Sequence, residues 1–95
     1  MKVERREFDE SGPGFRYVYS LYTFEADGVS YVARSYRSEP TEAHFLRKEI
    51  GAQSTTLTPG DIQSELFRGA IGYLREAGIR TIRYLSQSEQ GYVEI

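Results

Sequence analysis

The stretch FRYVYSLYTFEADGVSYVARSY, residues 15–36, decides the fold. Phe15 to Phe24 and Val29 to Tyr36 are dense in Tyr, Val, Phe and Thr, side chains that suit a pleated surface. Between them lies Asp27-Gly28, a pair favoured in two-residue type I′ turns because both central residues need positive φ. A hairpin closed by that turn has a single register. Ala26 faces Val29, Phe24 faces Tyr31, Tyr22 faces Ala33 and Tyr19 faces Tyr36. Because strand side chains alternate, one face carries Val18, Tyr22, Phe24, Tyr31 and Ala33. The other carries Phe15, Tyr17, Tyr19, Leu21, Val32 and Tyr36, with Arg34 among them. Neither face is plainly polar, so either both are covered or one is a binding surface.

Upstream of the hairpin, residues 1–14 are charged and end in the turn-forming Ser11-Gly12-Pro13-Gly14. They read as a flexible N-terminal segment, with a short edge strand as the other option. Downstream, Ser38 to Glu42 resembles a helix start, with a hydroxyl cap, a first-turn Pro and acids near the N-terminus. Ala43, Leu46 and Ile50 share a helical face, which predicts a helix over residues 40–50. The same residues also alternate as His44, Leu46, Lys48, Ile50, so a third strand stays open. Residues 51–58 read as a loop or a weak edge strand.

Thr58-Pro59-Gly60-Asp61 opens the main helix, with Thr58 as cap and Asp61 reaching back as a short capping box. Ile62, Leu66, Phe67, Ala70, Ile71, Tyr73, Leu74 and Ala77 fill one half of its circumference, interrupted by Gln63, and Gly78 ends it. That arc is wider than a single sheet face normally covers. Gly69 and Gly72 sit on the other half, where each costs about 1 kcal/mol relative to Ala. Ile79 to Leu85 alternates as a strand, and Tyr92 to Ile95 can add a last short one. The order is ββ(α)αβ(β): an α+β fold in which a small antiparallel sheet packs on one main helix, with residues 15–95 forming a single domain.

Ninety-five residues allow one core, and no cysteine is present to staple it. Net charge is −2, which excludes a strongly basic nucleic-acid arm and a polybasic membrane anchor. The charged start lacks the apolar core of a signal peptide, so the expected location is cytoplasmic. The chemistry-bearing inventory is thin. His44 is the sole histidine and has no nucleophile beside it in sequence. No ligand set at metal-binding spacing, phosphate loop or catalytic constellation is readable, so no enzyme, metal or cofactor is expected.

What remains is a surplus of apolar and tyrosine-rich surface. It points to a non-catalytic protein-interaction module that self-associates, most simply as a homodimer. The expected contact residues are Tyr17, Tyr19, Arg34 and Tyr36 on the sheet, with Phe67 and Ile71 on the helix flank. The alternative is single-stranded nucleic-acid binding through the same Tyr/Arg face, since tyrosines stack on unpaired bases and arginines meet phosphate.

Overall fold

The computed structural model describes residues 1–95. The strands are β1 (Lys2–Gly12), β2 (Phe15–Ala26), β3 (Val29–Tyr36), β4 (Glu42–Ile50), β5 (Gln53–Thr55), β6 (Thr81–Ser86) and β7 (Gly91–Glu94). The helices are α1 (Pro59–Ile62) and α2 (Glu65–Glu76). All seven strands join one sheet in the order β1-β2-β3-β4-β6-β7, and β5 pairs with the end of β4. The β2–β3 hairpin has the register that its turn dictates, from Ala26↔Val29 through Tyr19↔Tyr36. Asp27 and Gly28 both have positive φ, 53° and 79°, as a type I′ turn requires.

The sheet is larger than the sequence suggests, and it is mixed. β4 and β6 run parallel, because the chain between them passes through the helical layer before returning beside β4. The N-terminal segment is a strand rather than a frayed end. β1 pairs with β2 along its whole length, from Lys2↔Glu25 to Gly12↔Phe15.

The segment expected as a helix over residues 40–50 is β4, and its misleading pattern has a physical cause. Val32 pairs with Arg47 whereas the next residue, Ala33, pairs with Phe45, so Leu46 is an extra residue at a bulge. Ala43, Phe45, Lys48 and Ile50 therefore lie on one face, a spacing of two, three and two. That broken alternation imitates helical periodicity.

One helical layer covers one face of the sheet. Phe24, Tyr31, Ala33, Ala43, Phe45 and Ile82 meet Phe67, Ala70 and Leu74 of α2 in a single core, and all nine are at most 2% exposed. Phe45 and Phe67 have ring centroids 4.6 Å apart, and Tyr31 meets Phe67 edge-on at 5.3 Å. Tyr73 is exposed at the helix edge, yet its ring lies edge-on to Phe24 and Tyr22. Those contacts account for part of the wide apolar arc.

The expected single helix is broken at Gln63, where Ser64 provides a second cap by accepting from the Phe67 N–H. The Thr58–Asp61 capping box forms as expected. Asp61 does more than cap. Its Oδ1 accepts from Lys48 Nζ of β4 at 2.7 Å and from the Tyr31 hydroxyl of β3 at 2.9 Å. Its Oδ2 accepts from Thr58 N–H at 2.8 Å and from the Thr58 hydroxyl at 3.0 Å. Burial pushes the Asp61 carboxyl up, but Lys48, Thr58 and Tyr31 outweigh it and hold the group below the usual carboxylate value. The network ties the start of the helical layer to two central strands.

Two outcomes are expected. Asp61→Asn should lower stability in urea by about 3 kcal/mol at neutral pH, the low end for a buried pair broken on one side, because Lys48 retains some solvent. Since the folded carboxyl titrates below its unfolded value, its contribution is present above the ordinary carboxylate pKa. It is lost as pH falls through the lowered folded value, so variant and parent should converge in acid. Gly72 is the second case: a Cβ there meets no atom within 4 Å. Gly72→Ala should raise stability by about 1 kcal/mol, read as a shifted urea midpoint with an unchanged slope.

Candidate functional site

The opposite face of the sheet has no helix on it. Alternation places Phe8 from β1, Tyr17, Tyr19 and Leu21 from β2, and Val32, Arg34 and Tyr36 from β3 on that side. His44 follows from β4, Arg83 and Leu85 from β6, and Tyr92 from β7. The aromatic rings form a ribbon running across the strands. Phe8 stacks on Tyr19 with centroids 5.2 Å apart, Tyr19 meets Tyr36 edge-on at 5.8 Å, and Tyr17 lies 6.0 Å from Tyr36. Phe15 extends the ribbon beside Tyr17. The Arg34 guanidinium lies over the Tyr36 ring at 4.7 Å, a cation–π contact. Arg34 in turn pairs across the ladder with His44, whose ring is 4.6 Å from that of Tyr92.

Around this ribbon, guanidiniums are matched to carboxylates. Arg6 meets Glu4 at 2.9 Å, Arg47 meets Glu49 at 2.8 Å, and Arg83 meets Glu42 at 2.9 Å and Glu94 at 3.5 Å. The Tyr19 hydroxyl donates to Glu10 at 2.9 Å, and this bond raises the Tyr19 pKa. The proximity of the Glu39 and Glu42 carboxyl groups raises the pKa of the first and lowers that of the second, which Arg83 lowers further. Arg34, in the ribbon, makes no ion pair.

Two nitrogens on this face are out of balance. Arg34 Nε and His44 Nε2 are both buried and have no hydrogen-bond partner. Glu42 is 3.6 Å from His44 Nε2, beyond hydrogen-bonding range. An unsatisfied buried polar group costs about 1–3 kcal/mol, and such exceptions are few in a native fold.

Tyr17, Tyr19, Arg34 and Tyr36, singled out from sequence, thus stand together on one uncovered face. Phe67 and Ile71 do not join them. Phe67 is 1% exposed and packs against Phe45 and Tyr31, while Ile71 is half-buried against the same core. Both are on the helix side, facing the sheet. Sequence reasoning missed Phe8, His44 and Tyr92, which carry the ribbon to both edges. Phe8 is a lone aromatic within a charged strand, and that signal became readable only once β1 was known to pair. His44 and Tyr92 meet through the parallel β4–β6 pairing, which has no local sequence signature.

No group of three or more His, Cys, Asp or Glu side chains is placed to hold a metal ion. No helix is long and apolar enough to cross a membrane. No protein-family model, curated protein or solved structure matches the chain.

Proposed function

We propose that the protein is a non-catalytic interaction module that self-associates by packing the uncovered sheet faces of two copies together. The observation that carries this reading is the aromatic ribbon on an uncovered face, bordered by ion pairs that neutralise one another. Tyr and Arg at the centre with a polar rim is the anatomy of a protein contact surface. The size is adequate. Six strands at about 4.8 Å spacing, averaging about eight residues, present roughly 24 by 27 Å of plan area. Side-chain relief brings this near the 800 Å² or so per partner of a standard interface.

The sheet edges favour the face as the route of association. Seven of the eleven β1 residues are charged, and Arg5–Glu7 and Arg6–Glu4 ion pairs lie along it. β7 at the other edge is only four residues long. Charged or short edges resist strand addition. The face itself bears Glu4, Glu10, Glu42, Glu49 and Glu94 against Arg6, Arg34, Arg47 and Arg83. Two copies of a nearly neutral surface can meet without strong repulsion.

Single-stranded nucleic acid is the second reading, supported by the Arg34–Tyr36 contact, since tyrosine and arginine together make a stacking platform. The paired rim weighs against it, because a phosphate must compete with a carboxylate for each of Arg6, Arg47 and Arg83.

Sedimentation velocity from low micromolar to millimolar protein should show a monomer–dimer equilibrium. Tyr36→Ala should weaken it by about 2 kcal/mol or more, the range of an interface hot spot, with circular dichroism unchanged. A monomer throughout, or an unaffected dimer in the variant, contradicts the proposal. Labelled single-stranded RNA should show no salt-sensitive anisotropy change even at low ionic strength. A steep salt-dependent titration would transfer the face to the second reading.

A further inference from the structure

Arg34 stands within the aromatic ribbon and makes no ion pair, and its Nε is buried with no hydrogen-bond partner. Two copies packed face to face take this guanidinium further from water. An uncompensated charge at the centre of such a contact opposes association, so the partner has to supply a carboxylate. Glu4, Glu42, Glu49 and Glu94 are each held by an arginine of their own chain. Lys2 and Glu25 face each other at the far end of the β1–β2 ladder and balance one another. That leaves Glu10, which is exposed, makes no ion pair and accepts the Tyr19 hydroxyl at 2.9 Å.

The unpaired cation and the unpaired anion are placed symmetrically about one residue. Arg34 pairs with Leu21 and Glu10 pairs with Tyr17, two residues either side of Tyr19 along β2. Arg34 belongs to the strand on one flank of β2 and Glu10 to the strand on the other. Tyr19 is therefore the midpoint between them. We infer that two copies of this chain pair about a two-fold axis passing over Tyr19, with Arg34 of each copy bound to the partner's Glu10. The pairing rests on the proposed reading of this face as the surface of self-association.

An axis lying between the two sheets and perpendicular to the line from Glu10 to Arg34 exchanges the ends of that line. Each contact then occurs twice, as an isologous interface requires. The same operation also matches the apolar residues. On a grid of about 4.8 Å between strands and about 3.4 Å per residue, Tyr36 falls within about 3 Å in plan of the partner's Tyr17, and Phe8 equally close to the partner's Leu21. Phe15, which is 46% exposed, is carried toward the partner's His44 and Tyr92 at the other end of the ribbon. No two like charges fall opposite each other. The strands of the two copies cross at roughly 70°, nearer the orthogonal than the aligned class of sheet packing.

Sedimentation velocity on charge-reversed variants tests the pairing. Arg34→Glu and Glu10→Arg each set like charges together twice per dimer. Each should weaken homodimerisation about a hundredfold or more, with circular dichroism unchanged. Mixing the two variants restores both ion pairs with opposite polarity, so a heterodimer should form within about tenfold of the parent affinity. Glu25→Arg carries the same charge change on the same face but lies outside the contact, and it should not draw fluorescently labelled Arg34→Glu into a dimer. Variants that dimerise like the parent, a mixture that stays monomeric, or rescue by Glu25→Arg as well would overturn the pairing, while a parent dimer sensitive to Tyr36→Ala would leave the reading of the face standing. A parent that is monomeric at millimolar concentration overturns both.

Discussion

The two-residue turn at Asp27-Gly28 is the constraint on which the rest of the structure depends. Both residues take positive φ, so the turn holds β2 and β3 in one register. Side chains alternate with a period of two, and a slip of one residue would exchange the faces of the slipped strand. The register puts Tyr22, Phe24, Tyr31 and Ala33 under α2 and leaves Tyr17, Tyr19, Arg34 and Tyr36 on the far side. Core and candidate site are therefore two consequences of one turn.

The second constraint is the shortage of helix. α2 has twelve residues and α1 four, enough for one layer over the centre of a six-strand-wide sheet. That layer is fixed from both directions. Aromatic packing of Phe67 against Phe45 and Tyr31 supplies the apolar part. The Asp61 carboxylate supplies the polar part by binding Lys48 and Tyr31 from the sheet while capping its own helix. A partly buried ion pair of this kind adds modest net stability but penalises alternative seatings of the helix, because any other position leaves a charge unpaired. None of the described elements covers the other face. The aromatic residues there make their own contacts with one another, and ion pairs around them reduce the charge seen from outside.

Several elements were legible in the sequence, and each rests on local chemistry. The hairpin register came from one dipeptide, the capping box from Thr58 and Asp61, and the helix stop from Gly78, whose φ is +92°. The Tyr/Arg face followed from alternation alone. Failures came where non-local pairing overrode the pattern. β1 is charged enough to look unstructured, yet it is held by an eleven-residue ladder on β2. β4 looked helical because the Leu46 bulge breaks its alternation. Phe67 looked like a flank residue because the helical projection gives the width of the apolar arc but not the line along which the sheet meets it. The ribbon from Phe8 to Tyr92 needs strands distant in sequence, two of which pair in parallel.

The central claim is that the uncovered face, and not the helix side or an edge, is where the protein meets its partner. Oxidative footprinting of tyrosine side chains at low and high protein concentration tests it most directly. Tyr17, Tyr73 and Tyr92 are 52%, 40% and 43% exposed, so all three start accessible. Tyr17 and Tyr92 should lose reactivity as concentration rises, while Tyr73, beside the helix, should not. Protection of Tyr73 alone, or unchanged reactivity at all three, would contradict the claim.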